Sequence, residues 1–236
     1  MSRPVCAIVG VGPGNGAAFA RRFAREGYAV ALIARSAELG AGLASELGHA
    51  RSYACDVTDP QAVERVFGDI RDQLGGVDVL IQNAAYASPT AWGSVEEISL
   101  EAFEASWRVS GLGTLIAARQ VIPSMIEKGS GNIIIIGATA SRRGGAKMEA
   151  FAPAKAAQRT LAESMARQLW PKGIHVALVI IDGVVDGPRS RQFLPDKPDS
   201  FFVKPDEVAA TVYALTQQPR SAWSFELEAR PFGENW

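Results

Sequence analysis

The stretch from residue 5 to residue 16, VCAIVGVGPGNG, decides the fold of this 236-residue chain. Its first five residues are apolar and predict a buried strand, and a helical pattern begins at Asn15. The turn between strand and helix is rich in glycine, which permits a tight turn and lets backbone N–H groups approach a pyrophosphate. The helix N-terminus adds partial positive charge. We therefore predict a dinucleotide site at Gly10, Gly12, Gly14, Asn15 and Gly16; the alternative is a tight turn without a ligand.

Short apolar runs alternate with helical patterns along the rest of the chain. We predict further strands at residues 28–34, 52–55, 77–81, 132–136, 174–181 and 225–229. We predict helices at residues 15–27, 37–47, from 59, at 100–128, 149–170 and 205–217. This alternation predicts an α/β fold, a Rossmann-type doubly wound parallel sheet of about seven strands with helices on both faces. We expect one domain over residues 1–236, with the proline-rich segment 186–204 as a flexible cover over a substrate.

Composition excludes several classes of protein. Hydrophobic residues make up 47% of the chain, and 24 Lys and Arg against 25 Asp and Glu give a net charge of −1. A nucleic-acid-binding protein normally carries a basic excess, so we predict no nucleic-acid partner. The longest uncharged stretch, residues 79–95, contains Gln82 and Asn83, and we predict no membrane partner. Cys6 and Cys55 lie in apolar strands, as is typical of buried thiols in a reducing compartment, and we expect a cytoplasmic protein without a metal site.

The end of the second predicted strand indicates which dinucleotide is bound. An NAD site usually places an acidic residue there to bind the ribose 2′-OH. This chain has Ala34 followed by Arg35, and arginine pairs well with a phosphate. The pattern favours NADP(H) over NAD(H), which is the alternative cofactor; the other interpretation of Arg35 is a solvated charge at the start of a helix.

Several motifs occur in the order and spacing of one known family. Beside the glycine turn these are Asp56 after the third strand, Asn83-Ala84-Ala85 after the fourth, Lys155, and Asp182-Gly183 after the sixth. With these residues the chain resembles the short-chain dehydrogenase/reductase family over nearly its whole length. The resemblance implies cofactor contacts at Asp56, Val57, Asn83, Ala84, Lys155, Asp182, Gly183 and Val185.

The catalytic group that the resemblance implies is incomplete. The family uses Asn, Ser, Tyr and Lys, and the matching positions here are Ser110, Ala138, Phe151 and Lys155. The chain is similar to a divergent subgroup that carries Phe in place of the Tyr. Phenylalanine has no proton to give, so the usual general acid is missing. Tyr86, which follows the fourth strand, is a candidate for a role beside the substrate; the alternative is a packing tyrosine.

Three functions remain open at this stage. The first is an NADP(H)-dependent oxidoreductase of altered catalysis, acting on a small-molecule carbonyl or alcohol. The second is a dinucleotide-binding sensor, or a partner subunit, without turnover. The third is a lyase or isomerase on the same fold. We also expect a homodimer or homotetramer, because the resemblance implies that helices 100–128 and 149–170 pair across a twofold axis. The apolar residues that we expect at this interface are Ala117, Ala118, Ala156, Ala157, Leu161 and Met165.

Overall fold

Nine strands and eight α-helices make up the described part of the chain. The computed structural model describes residues 3–86 and 88–233. The strands are β1 (Val5–Val9), β2 (Ala29–Ala34), β3 (Ala50–Ala54), β4 (Val77–Gln82), β5 (Gly131–Ala138), β6 (Ile174–Ile181), β7 (Val184–Val185), β8 (Phe202–Val203) and β9 (Glu226–Ala229). The helices are α1 (Asn15–Arg25), α2 (Ala37–Leu47), α3 (Pro60–Gln73), α4 (Leu100–Trp107), α5 (Gly113–Lys128), α6 (Phe151–Leu169), α7 (Pro188–Phe193) and α8 (Pro205–Thr216). The predicted 1–236 domain includes residues 1, 2, 87 and 234–236, which lie outside the described residues.

The main sheet has seven strands in the order β3-β2-β1-β4-β5-β6-β9. All six pairings between neighbouring strands are parallel. The predicted Rossmann-type doubly wound fold is therefore confirmed. The strand order reverses between β1 and β4, and ligands of open α/β sheets bind in the crevice beyond the carboxyl ends of the strands at such a point.

Helices cover both faces of this sheet. Buried residues of α1 and α8 pack on one face, and buried residues of α3, α5 and α6 pack on the other. The central strands are buried on both sides, as the isoleucine run 133–136 and every residue of β6 show. Hydrophobic burial on both faces therefore fixes the positions of the strand ends that border the crevice.

The predicted helix over residues 100–128 is interrupted. A π-helical segment, Arg108–Leu112, separates α4 from α5. The whole stretch of 29 residues is long and apolar enough to cross a membrane by length and composition alone. Half of its most apolar window is buried within this fold, as in the core helix of a soluble protein. A π-segment within an α-helix often marks a functional site, and this one lies at the position predicted for a catalytic residue.

Three of the six residues expected at a subunit interface are buried in the core instead. Ala117, Ala118 and Met165 pack against the sheet with at most 5% of their surface exposed, so they are unavailable to a second subunit. The large apolar side chains that α4 and α5 do expose are Leu100, Phe103, Trp107, Leu115 and Ile126. The first three recur at a spacing of three or four residues and lie on one side of α4.

The segment 186–204 contains more regular structure than expected. Strands β7 and β8 form a small parallel pair, and α7 lies between them. Arg191 donates two hydrogen bonds to the Asp186 carboxylate, from Nε at 2.6 Å and from its terminal nitrogen at 3.0 Å. Lys204 Nζ donates a third at 2.6 Å, and the pairing holds the pKa of Asp186 far below its usual range. Ion pairs between Asp186 and two residues farther along the same segment thus link its two ends.

Cys6 and Cys55 are buried and carry free thiols, as the strand pattern predicts. Burial raises the pKa of both thiols, so they are poor nucleophiles.

Candidate functional site

A cavity of about 480 Å³ lies where β1 and β4 end and the strand order reverses. It is bordered by the glycine turn, by the ends of β2, β3 and β4, and by α4 with the π-segment. The predicted cofactor residues that line it are Gly10, Gly12, Arg35, Asp56, Val57, Asn83 and Ala84, and Tyr86 lines it as well. The other predicted residues, Gly14, Asn15, Gly16, Lys155, Asp182, Gly183 and Val185, do not line this cavity.

The glycine turn passes very close to the end of β4. Gly10 has a φ of +92°, and a Cβ placed there would lie 2.5 Å from backbone atoms of Ala84. Asn83 Nδ2 donates a 2.7 Å hydrogen bond to the Gly10 carbonyl, which holds the two chain segments together. A Cβ at Gly12, in contrast, would meet nothing within 4 Å. Gly10 is therefore needed for the close approach, while Gly12 leaves open space beside the cavity.

The start of α1 is bonded to the glycine turn, with the Ala17 N–H donating to the Gly12 carbonyl at 2.9 Å. A Cβ on Gly16 would lie 2.7 Å from the Val11 backbone. Because glycine has no Cβ, the helix can begin directly after the turn. Asn15 Oδ1 is buried and has no hydrogen-bond partner among the described residues. Val185 lies 3.9 Å from a Cβ built on Gly14, so the residue just before the 186–204 segment borders the turn. These residues surround the turn although they do not line the cavity.

Two arginines and one aspartate give the cavity its charge. Arg35 and Arg108 are exposed side chains that both line it, and Arg108 also contacts Glu104 at 3.4 Å. The Asp56 carboxylate accepts hydrogen bonds from Thr58 N at 2.9 Å and Thr58 Oγ1 at 2.8 Å. The Thr58 backbone bond above all, with both arginines contributing, lowers the pKa of Asp56. The cavity therefore offers two cations and one ionised acceptor.

Tyr86 carries its phenol at the edge of the cavity. Its hydroxyl lies 3.1 Å from Thr90 Oγ1, which in turn lies 2.8 Å from Ser88 Oγ. These hydroxyl contacts, with the charge of Arg35 adding a smaller effect, lower the pKa of Tyr86. A hydroxyl chain of this kind can pass a proton to or from the phenol.

Lys155 lies inside the fold, with 3% of its surface exposed. Its Nζ donates to the Ile136 carbonyl at 2.9 Å and to Gln158 Oε1 at 2.8 Å. Burial lowers the pKa of Lys155 to about 8. The ammonium is thus already engaged by protein acceptors, although the resemblance implies a contact with a bound cofactor.

The residues at the other three positions of the implied catalytic group lie in apolar or internal surroundings. Ser110 is buried in the π-segment, and its Oγ has no partner among the described residues. Ala138 ends β5 and its N–H donates to Ser141 Oγ at 3.1 Å. The ring of Phe151 packs against the half-exposed Trp92, with 5.0 Å between ring centroids. None of these side chains supplies a proton where the family's tyrosine would.

Asp182 and Gly183 follow β6, and Asp182 is engaged away from the cavity. Its buried carboxylate accepts hydrogen bonds from Thr139 Oγ1 and from the Arg230 guanidinium. Asp182 therefore ties the ends of β5, β6 and β9 together. Gly183 lies between this contact and β7.

Four polar residues at or near the site are not identified by sequence reasoning. Arg108 lines the cavity, and Gln82, Thr114 and Gln158 are fully buried beneath it. An arginine within an apolar helical stretch and glutamines at core positions are the signals that could have found them. Their roles depend on contacts between elements distant in sequence, which no local pattern contains.

The residues present fit a dinucleotide. Glycines allow backbone N–H groups near the turn to approach a ligand, and a Cβ at Gly12 would meet open space. The paired cations Arg35 and Arg108 suit a phosphate, and the ionised Asp56 can accept from an amino group. Among the described residues, no group of three His, Cys, Asp or Glu side chains could hold a metal ion.

Comparison with known proteins places the chain among relatives of one kind. A sequence model for short chain dehydrogenases matches residues 4–197. The sorbitol dehydrogenase of Cereibacter sphaeroides is 35% identical over 182 residues, which cover 76% of this chain and 70% of that protein. A short-chain dehydrogenase structure from Rhodopseudomonas palustris is 32% identical, covers 97% of this chain and 99% of its own, and has a TM-score of 0.82. A metagenomic short-chain oxidoreductase in complex with NADP is 26% identical, covers 98% of both chains and has a TM-score of 0.82.

The buried ammonium of Lys155 should make stability depend on pH. Its folded pKa of about 8 lies below the ordinary lysine value of 10.5, so between these values the unfolded chain binds more protons. Stability should therefore rise with pH across this window, by roughly 3 kcal/mol in total, relative to Lys155→Met. Denaturant unfolding of both proteins from about pH 7 to about pH 10 measures the difference. Parallel profiles for the two proteins would contradict the assignment of a buried charge.

Proposed function

Because the chain belongs to the short-chain dehydrogenase family of oxidoreductases, we propose that it binds NADP(H) and exchanges hydride with a small carbonyl or alcohol substrate. The observation that carries this proposal is the cavity at the β1–β4 reversal, where the glycine turn, Asp56 and two arginines meet. The NADP complex of the metagenomic relative, which covers the same length of chain, supports it. The substrate pocket would include Trp92 and Phe151, whose rings contact each other.

The proposed preference for NADP(H) rests on charge. Arg35 and Arg108 line one cavity, and β2 ends at Ala34 without an acidic residue to accept a ribose 2′-OH. A 2′-phosphate would carry close to two negative charges beside these guanidinium groups, and arginine binds phosphate through parallel hydrogen bonds. NAD(H) lacks this group and would gain nothing from either arginine.

We assign the protein's part in the reaction to Lys155 and Tyr86. The bound cofactor supplies the hydride. Lys155 would contact the nicotinamide ribose when the cofactor is present, as the family resemblance implies. Tyr86 would exchange the proton, because Phe151 has none and the Tyr86 phenol is linked to Thr90 and Ser88. The lowered pKa of Tyr86 brings the phenol closer to the range in which general acids operate.

A second candidate function is dinucleotide binding without turnover, as in a sensor or a partner subunit. It is favoured by one observation: Gly10, Asp56 and Arg35 border one cavity, while Ala138, Phe151 and the internally bonded Lys155 leave the catalytic end without its usual groups. Titration with NADPH, followed by a panel of carbonyl compounds monitored at the NADPH absorbance band, separates the two. Binding without consumption would favour the second function. Product formed without a change of cofactor redox state would favour a lyase or isomerase.

We also propose that the chain forms a homodimer or homotetramer in the cytoplasm. Leu100, Phe103, Trp107 and Leu115 present apolar surface on α4 and α5 that a second copy would cover. Closed symmetric assemblies are the common form of soluble oligomers. The unpaired thiols of Cys6 and Cys55 suit the reducing cytoplasm.

Replacement of Arg35 should reverse the cofactor preference. Arg35→Asp removes the phosphate partner and adds an acceptor for a ribose hydroxyl, so NADPH should bind at least about 10-fold more weakly and NADH more tightly. Fluorescence titration measures both dissociation constants. Arg51→Asp on β3 is the matched control, because Arg51 is also exposed but does not line the cavity. Tighter binding of NADH than NADPH by the wild-type protein would contradict the preference.

Restoring the missing groups should raise carbonyl reduction. The double variant Ala138→Ser with Phe151→Tyr places a hydroxyl and a phenol at the family's positions, and we expect a rate increase of about 10²–10⁴ on a simple ketone. NADPH consumption measures the rate, with the two single variants as controls. If the wild type already reduces ketones at ordinary enzyme rates, Tyr86→Phe should abolish that activity; a variant that stays active would refute the role of Tyr86.

The apolar surface of α4 and α5 should control assembly. Leu115→Glu should shift the particle mass measured by light scattering from that of an oligomer toward that of a monomer, because a buried carboxylate at an interface is costly. Leu39→Glu on α2 is the matched control, since Leu39 and Leu115 are both 39% exposed. A monomeric wild type at micromolar concentration, or an equal response of the two variants, would refute this surface as the interface.

A further inference from the structure

A continuous chain of buried polar groups runs from Lys155 into the π-segment. Lys155 Nζ donates to Gln158 Oε1 at 2.8 Å, and Gln158 Nε2 donates to Thr114 Oγ1 at 2.9 Å. Thr114 Oγ1 donates onward to the Ser110 carbonyl at 2.5 Å. All four residues are buried, and Gln158 is completely inaccessible to solvent. The chain joins α6 to the segment that interrupts the helix beside the cavity.

Gln158 determines where the Lys155 ammonium lies. The two residues are three apart on α6, so their side chains lie on the same side of the helix. An ammonium has three donors, and two of them are taken by Gln158 and by the Ile136 carbonyl. The Ile136 carbonyl belongs to the central strand β5 and cannot move aside. Among the described residues, Gln158 is therefore the side-chain acceptor of Lys155 that can be replaced without altering the sheet, and its replacement leaves the ammonium bonded to the Ile136 carbonyl.

The position of Gln158 is itself fixed at both ends. Its amide nitrogen is held by Thr114 while its amide oxygen faces Lys155, so the orientation of the amide is set by the hydrogen bonds it makes. Because Thr114 already fixes the Gln158 side chain, its oxygen accepts from Lys155 without a further loss of side-chain entropy. The bonds to Ile136 and Gln158 leave Lys155 one N–H group for a contact in the cofactor crevice, and Gln158 competes with that contact for the ammonium in a site of low dielectric constant.

We propose that Gln158 is a positioning residue that holds the Lys155 ammonium inside the fold and competes for it with the ribose hydroxyls of a bound dinucleotide. The proposal rests on the proposed function, because it takes the dinucleotide as the competing partner. It explains how Lys155 is retained without a phenol beside it: the position of Phe151 offers no acceptor, and Gln158 supplies one. Cofactor affinity is accordingly lower than the cavity alone would give.

Two substitutions at Gln158 should change NADPH affinity in opposite directions. Gln158→Met has similar size but no acceptor, so it frees the N–H group of Lys155 that Gln158 holds, and we expect NADPH to bind about 5- to 50-fold more tightly. Gln158→Glu keeps the shape and adds a charge that holds the ammonium more strongly, so NADPH should bind at least about 5-fold more weakly. Fluorescence titration at neutral pH gives the dissociation constants. Gln168→Met, at an exposed position of α6, is the matched control and should behave as wild type.

If Gln158 had only a structural role, the effect of its replacement on NADPH affinity would not depend on Lys155. In a Lys155→Met background, Gln158→Met should leave the NADPH dissociation constant unchanged within about twofold, because no ammonium remains to be released. The pKa of Lys155, followed by NMR of its labelled side chain, should rise in Gln158→Glu and fall in Gln158→Met. This readout does not require cofactor.

The outcomes separate this proposal from the proposed function. Unchanged NADPH affinity in both Gln158 variants, or a Gln158→Met effect that persists without Lys155, overturns the positioning role while dinucleotide binding stands. If Gln158→Met does not fold, the isosteric Gln158→Glu decides, and wild-type affinity in that variant overturns the role. If neither the wild type nor a folded variant binds NADPH or NADH, the proposed function fails and the competition fails with it. Binding by Gln158→Met alone supports both.

Discussion

The contact between the turn after β1 and the end of β4 is the constraint on which the candidate site depends. Gly10 lies so close to Ala84 that any side chain would collide with the backbone, and Asn83 bonds to the Gly10 carbonyl across the gap. This contact joins the ends of β1 and β4 at the crevice where the strand order reverses.

Much of this arrangement follows from sequence because it rests on local patterns. The buried strands are runs of apolar residues, and the glycine turn, Asp56 and Arg35 each follow a strand end, which a parallel sheet brings to one edge. The interruption of the helix at Arg108–Leu112 could not be predicted in this way, since the apolar pattern continues through it. The order in segment 186–204 also depends on ion pairs, such as that of Lys204 with Asp186, which the proline-rich composition does not reveal.

The environment of Lys155 could not be predicted from local sequence patterns either. The spacing of motifs identifies the residue, but its hydrogen-bond partners come from β5 and from a glutamine whose other partner, Thr114, is 44 residues away. The burial of Ala117, Ala118 and Met165 has a similar cause: small or flexible apolar residues suit both a core and an interface, and only the packing of α5 and α6 on the sheet decides between them.

The two ends of the site differ in a way that bears on how the chain works. At the end of the site that would hold the adenosine, Gly10, Asp56 and Arg35 follow strand ends and Arg108 begins the π-segment, so charge and backbone geometry meet there. At the catalytic end, the position that would carry a phenol holds Phe151, whose ring contacts Trp92 and adds apolar surface in place of a proton donor. Beside such a surface and without Gln158, the buried ammonium would have the Ile136 carbonyl as its one acceptor among the described residues, which would be destabilising. The Gln158 amide supplies a second acceptor, so the loss of the phenol at position 151 and the presence of an internal side-chain partner for Lys155 are two parts of one arrangement.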